Sequence, residues 1–196
     1  MRAQIVEASM ALFHQGGERA VSMRALARQL GISTMALYTY FPTKAHLMHH
    51  IWADMLRLAC AQGELAGAES PCDWSRLDAC LQGFLSYWMD HPDHLREILA
   101  AWQAETDGRG YPPWFGAQRV QLDLLLRPLS GQAGQEEALL DVCRDQVLSQ
   151  ILGTQMLLLA RANESRAAQQ GLIECATQAA LASLRHRLGC QAAIAG

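Results

Sequence analysis

Ser22-Met-Arg-Ala-Leu-Ala-Arg-Gln-Leu-Gly-Ile-Ser-Thr-Met-Ala-Leu-Tyr-Thr-Tyr-Phe-Pro-Thr-Lys44 is the stretch whose reading decides the fold. It has the pattern of two short helices that cross at a steep angle. Ser22 is placed to N-cap the first, running to about residue 30, and Ser33 the second, which must end before Phe41-Pro42. Ala27 is small enough to let the second helix approach closely. Four residues later, Gly31 can take the positive φ that a tight turn requires. Leu26, Leu30, Ile32 and Leu37 are expected to form the small core that locks the crossing. Thr34, Met35, Tyr38 and Thr39 are then left facing outward. Ala25 stands where an acidic residue would complete a capping box with Ser22, so this helix start is expected to be less firm.

Upstream, Ile5, Ala8, Leu12 and Phe13 form the apolar face of a first helix, closed by Gly16-Gly17. Downstream, Thr43 caps a long fourth helix with Leu47, Ile51, Met55 and Leu58 on one face. Residues 63–73 read as a loop, and helices are expected over 74–89 and 91–105. Asp107-Gly-Arg-Gly-Tyr-Pro-Pro113 is the strongest break in the chain. A helix over 114–126, a loop over 128–134 and two long helices over 135–162 and 166–188 complete the pattern, with fraying expected beyond 189. Val and Ile are few, while Ala, Leu, Gln and Arg abound, which favours helix. The expectation is an all-α protein of about nine helices: a three-helix head with a helix-turn-helix over 1–45, and a helical body over 46–196.

The formal net charge of −3 hides an asymmetry. Residues 1–50 hold Arg2, Arg19, Arg24, Arg28 and Lys44 against Glu7 and Glu18, a net +3, and the rest of the chain carries −6. A basic head on an acidic body would meet a polyanion head first. No apolar run approaches the roughly 18 residues of a membrane span. The segment 1–13 carries Glu7 and reads as an amphipathic helix rather than a signal peptide, so a cytoplasmic protein with no membrane partner is expected.

The helix-turn-helix stretch and its flanks resemble the TetR family of bacterial regulators. The resemblance covers residues 4–50: an Ile…Ala…Leu-Phe helix, a Gly pair, Ser22, Leu26-Ala27 and Gly31-Ile32-Ser33. It is most specific over Leu37-Tyr38-Thr39-Tyr40-Phe41-Pro42-Thr43-Lys44. Beyond residue 50 it supplies architecture only. It implies that Thr34, Met35 and Tyr38 reach base edges in a major groove and that Thr39 and Tyr40 touch phosphates or sugars. Lys44, the one lysine of the chain, would pair a phosphate near a helix N-terminus. Arg24 and Arg28 are backbone-contact candidates, with solvated surface charge as the alternative. His46 stands where the family often has an acidic residue.

The resemblance further implies a regulator, most often a repressor, that binds a near-palindromic double-stranded operator as a homodimer and is released by a small molecule. Phe84, Trp88, Trp102, Gln103, Trp114, Phe115 and Gln118 are the candidate ligand-pocket residues, with ordinary core as the alternative for each. The aromatic content points to a largely apolar ligand. Ile151, Leu158, Ala176, Ala180 and Leu184, on the apolar faces of the last two helices, are the candidate dimer interface, with an intrachain hairpin as the alternative.

Other classes remain open. His46, His50 and Asp54 share a helix face at metal-ligand spacing, with solvated histidines as the alternative. Six widely spaced cysteines exclude a disulfide framework in a reducing compartment but leave a redox sensor built from Cys72 with Cys60 or Cys80. A helical small-molecule binding protein without operator binding is the main rival. No G-x-S-x-G, phosphate-binding Gly loop or paired-carboxylate setting is present, so neither an enzyme nor a cofactor is expected.

Overall fold

Ser22 Oγ accepts the Ala25 N–H at 3.1 Å and Ser33 Oγ accepts the Ala36 N–H at 3.1 Å. Each hydroxyl satisfies one of the donors that a helix start leaves orphaned. The two short helices they open are α2 (Met23–Leu30) and α3 (Thr34–Tyr40), preceded by α1 (Arg2–Ala20). Gly31 ends α2 with φ +66°, its N–H bonding Arg28 O while the Ile32 N–H reaches back to Ala27 O. This double closure satisfies two terminal carbonyls and needs a left-handed residue at position 31. Ser22 caps α2 without the acidic partner that Ala25 denies it. α1 is interrupted at Gly16 and Gly17, as expected of the pair, but helical hydrogen bonding resumes as far as Ala20.

The computed structural model describes residues 1–105, 111–130 and 137–192. The helices beyond α3 are α4 (Lys44–Gly67), α5 (Asp73–Asp90), α6 (Pro92–Glu105), α7 (Gly116–Leu126), α8 (Glu137–Ala160) and α9 (Arg166–Ala192). Short 3-10 turns lie at Pro113–Phe115 and Arg127–Ser130. Among the described residues the fold is all-α, with nine α-helices and no strand. None of these helices is long and apolar enough to cross a membrane.

Contacts divide the chain into two compact units. The first comprises Met1–Leu56 and Arg96–Phe115. Its core holds Ile5 and Phe13 of α1, Leu26 of α2, Leu37 of α3, Phe41, and Leu47, Ile51 and Met55 of α4. Leu30 and Ile32 are only half-buried, at the rim of the crossing they were expected to lock. The second comprises Arg57–Leu95 and Gly116–Gly196. There α5 packs against both α8 and α9, which also pack on each other, around Leu77, Leu85, Val147, Ile173, Leu181 and Leu184.

Several element ends differ from the sequence reading. Residues 63–67 are helical rather than loop, because Gly63 is a contact and not a breaker. A Cβ at Gly63 would sit 2.6 Å from the Cys80 carbonyl oxygen, and one at Gly83 would sit 2.8 Å from that of Gln62. The close approach of α4 and α5 therefore requires glycine on both sides, and it keeps α4 wound past the point where composition suggests a stop. Leu58 is exposed, and Ala59 takes its place on the buried stripe of α4. Helix 114–126 begins as a 3-10 turn, and the expected loop at 128–130 is also 3-10. Helix α9 continues through Ala192, beyond the expected fraying point. The break at 107–110 and the loop at 131–134 lie outside the described residues.

Candidate nucleic-acid interface

Leu37 is the one buried side chain of α3, and this anchor sets which face the helix presents. Thr34, Met35, Tyr38, Thr39 and Tyr40 are all exposed, Met35 to 75% and Tyr38 to 45%. A large methionine and two tyrosines in water on one seven-residue helix find no explanation in the packing of this chain. Arg24 and Arg28 of α2 are exposed beside them in sequence. The Thr39 hydroxyl already donates to the Ala36 carbonyl at 2.6 Å, so contact with a phosphate requires it to release that bond.

Thr43 caps α4 by accepting the His46 N–H at 3.0 Å. One residue on, Lys44 Nζ donates to the Glu18 carbonyl at 3.0 Å and lies 3.3 Å from the Glu18 carboxylate. Lys44 therefore ties the end of α1 to the start of α4, and an ammonium has three donors, so one is left for a phosphate. Its side chain is 40% exposed, so the pairing with Glu18 contributes little to stability by itself.

Arg2 escaped the sequence reading. Its guanidinium donates to His50 Nε2 at 2.8 Å and stacks 5.0 Å over the Phe41 ring, across 48 positions of sequence. No local pattern announces such a contact. Burial, then Arg2, then His46 lower the His50 pKa below its ordinary value, with Asp54 opposing and His49 adding to the effect. The imidazole is held neutral with Nε2 as acceptor, which takes that nitrogen out of the metal face considered for His46, His50 and Asp54. Among the described residues no group of three or more His, Cys, Asp or Glu is arranged to hold a metal.

The seven pocket candidates divide between the two units. In the first, Trp102 lies 4.6 Å from Phe115 and 6.0 Å from Trp114, ring to ring, and Trp52 joins them 5.7 Å from Trp114. Glu105 binds this cluster, accepting the Trp114 indole N–H at 2.8 Å and lying 2.8 Å from His49 Nε2. Gln103 is exposed. In the second unit Phe84 and Trp88 meet edge to face at 5.9 Å, and Gln118 Nε2 lies 3.7 Å from Cys60 Sγ. Sequence reasoning missed Glu105 and its pairing with His49, which depends on where α6 ends.

Of the dimer candidates, Leu158, Ala180 and Leu184 are buried within the single chain, while Ile151 and Ala176 are half-buried. The stripe that sequence marks on α8 and α9 is thus already used by their packing on each other and on α5. The large apolar side chains that α8 leaves exposed are Val142, Met156 and Leu157. Cys60 and Cys80 are free thiols pushed up by burial, Cys60 to about 11. Cys72 is exposed and free, and its hydrogen bond with Ser75 lowers its pKa.

Residues 5–51 match the family described as bacterial regulatory proteins, tetR family. The HTH-type transcriptional repressor KstR of Rhodococcus jostii (strain RHA1) is 45% identical over 76 residues, which is 39% of this chain and 36% of that protein. The chain thus aligns with about a third of the length of this curated relative. Among solved structures, a single-substitution variant of TetR from Acinetobacter baumannii AYE, in complex with minocycline, superposes with a TM-score of 0.64 at 16% identity, covering 95% of this chain and 97% of that one. BioQ with its natural double-stranded DNA operator superposes with a TM-score of 0.55 at 20% identity, covering 91% of this chain and 98% of that one. Its N-terminal segment is thus similar to the TetR family of bacterial regulatory proteins, and the chain shares the fold of these solved structures.

Proposed function

We propose that this protein is a DNA-binding transcriptional regulator, a repressor that leaves its operator when a small molecule binds its body. The observation that carries the reading is the face of α3: one buried leucine holds it, and Thr34, Met35, Tyr38, Thr39 and Tyr40 stand in water inside the segment that matches the family. Residues 1–45 act as the DNA-binding head and 46–196 as the sensing and dimerisation body. The protein works in the cytoplasm as a binding protein, not an enzyme. Thr34, Met35 and Tyr38 touch base edges, where a methionine or tyrosine packs on thymine methyls. Arg24, Arg28, Thr39, Tyr40 and the remaining donor of Lys44 hold phosphates.

Two copies place their α3 helices in successive major grooves, about 34–36 Å apart, over a near-palindromic site. They pair through α8 and α9, with exposed Met156 and Leu157 covered by the second copy. Ligand binding favours a dimer with the wrong separation and weakens operator binding through a coupling of about 1–3 kcal/mol. KstR is named a transcriptional repressor, BioQ is seen with an operator and the TetR variant with minocycline, and these names support the two halves of the proposal.

The test is selection of random duplex DNA by the purified full chain, with a Thr34→Ala/Tyr38→Ala variant in parallel. A two-fold symmetric motif enriched by the wild type alone is expected. A folded, dimeric wild type that enriches nothing overturns operator binding and favours a sensor without it. The variant avoids Lys44, whose bonds to Glu18 give it a part in the fold of the head.

A further inference from the structure

Lysine occurs once in this chain, at position 44, beside 15 arginines. The two cations differ in chemistry. A guanidinium stays charged and is no nucleophile near neutral pH, whereas a lysine amine that sheds a proton attacks activated acyl groups. A lasting N-acyl side chain can therefore form at one position only, Lys44.

That position is also where the head depends on a full charge. Lys44 opens α4 and reaches back to the end of α1, donating to Glu18 O at 3.0 Å with the Glu18 carboxylate 3.3 Å away. An ammonium has three donors, and these two contacts leave the third for a phosphate. An N-acyl lysine is uncharged and keeps one N–H. It can serve one of the three partners, and the attraction to the carboxylate and to a phosphate is lost whichever it keeps. The formal charge of residues 1–50 falls from +3 to +2. The side chain is 40% exposed, so an acyl donor reaches it without unfolding the head. The start of α4 survives the change, because its cap is made by Thr43 on the His46 N–H and uses no side-chain atom of Lys44.

We propose that Lys44 is an acylation site, and that transfer of an acetyl or similar short acyl group to its Nζ, from an acyl phosphate or an acyl thioester, releases the head from DNA. The proposal rests on the DNA-binding reading above and adds to it an input separate from any ligand in the body. The ammonium gives one proton to water, and the amine lone pair forms the N–C bond at the acyl carbon. The C–O bond of the acyl phosphate, or the C–S bond of the thioester, breaks with its electron pair. The second amine proton goes to the leaving group, which departs as hydrogen phosphate or as a thiol.

The full-length, DNA-free protein is treated with acetyl phosphate in one arm and acetyl-CoA in the other, and the products are mapped by peptide mass. Acetylation of Lys44 is expected in at least one arm, which identifies the donor class, beside any at the Met1 amine. Treated and untreated protein are then titrated against the selected operator over a range of salt. Acetylation of Lys44 is expected to raise Kd at least about tenfold, through one charge-assisted hydrogen bond lost per copy. The log–log salt dependence should flatten by about one counterion per copy, which a merely structural loss would not produce. Lys44→Arg cannot take the acyl group, so the same treatment should change its Kd by less than about twofold.

Acetylation confined to Met1 in both arms overturns the proposal. So does an equal weakening of the treated Lys44→Arg variant, or a treated wild type that has lost its helical content. Should Lys44→Arg fail to fold, the salt dependence of the wild type decides by itself. If Lys44 is acetylated and neither form binds any operator, the DNA-binding reading fails while the acylation site stands. If the untreated protein binds its operator and acetylation of Lys44 leaves Kd and salt dependence unchanged, this inference fails and the DNA-binding reading stands.

Discussion

Helix α3 buries one of its seven side chains, whereas α8 buries nine of its twenty-four, among them Arg144, Thr154 and Gln155. The difference is in what each helix recognises. The exposed side chains of α3 are positioned by a cap and a single leucine, so their identities are free to be chosen by an outside partner. Those of α8 are chosen by α5, α7 and α9. Even its buried charge is internal: Arg144 is held between Asp123 and Asp141, which raise its pKa further. A face that the fold does not need is where a function can be written, and α3 is the clearer case.

Removing the anchor of α3 tests this contrast most severely. Leu37→Ala is expected to cost about 2–5 kcal/mol in denaturant unfolding, since the side chain is fully buried. DNA retention should disappear with it. If stability is unchanged, α3 is not held as described. On the outward face the effects should separate. Tyr38→Ala should weaken operator binding by about 1–3 kcal/mol while stability moves by less than about 0.5 kcal/mol, read by titration and melting of the same sample. A stability loss matching the affinity loss would make Tyr38 a packing residue and erase the distinction.

Ser33→Ala should cost about 1 kcal/mol through the lost cap, and it should also weaken operator binding by loosening the start of α3. Equal loss of stability with full affinity would show that the reading face does not depend on that cap. The smallest effect concerns pH. His50 has a lowered pKa in the folded chain, so the unfolded state binds its proton first as pH falls. Its contribution is intact above the unfolded value near 6.5 and is lost as pH falls toward the folded value. The stability difference between wild type and His50→Gln should therefore shift against the wild type from about pH 7 to about pH 5. No shift would mean that His50 is more open to water in solution than its packing here, beside Arg2 and His46, implies.

Much of this was legible in residues a few positions apart. Ser22 and Ser33 cap helices because their hydroxyls reach N–H groups three residues on, and Gly31 turns because of its own φ. The outward set on α3 follows from where Leu37 points. The dimer candidates show the opposite case. Leu158, Ala180 and Leu184 carry the expected apolar stripe, but periodicity reports that a face is covered without saying by what.

The sequence by itself therefore determined the class of fold, the helix-turn-helix with its caps and turn, and the residues that α3 leaves exposed, all from interactions between near neighbours in the chain. Tertiary structure alone decided that Gly63 and Gly83 are contacts, that Arg2 meets His50, that Lys44 leans on Glu18, and that Trp88 and Gln118 keep unmet polar atoms. Each of these depends on the distance between segments far apart in the chain, and that distance is set by the packing of all the helices together.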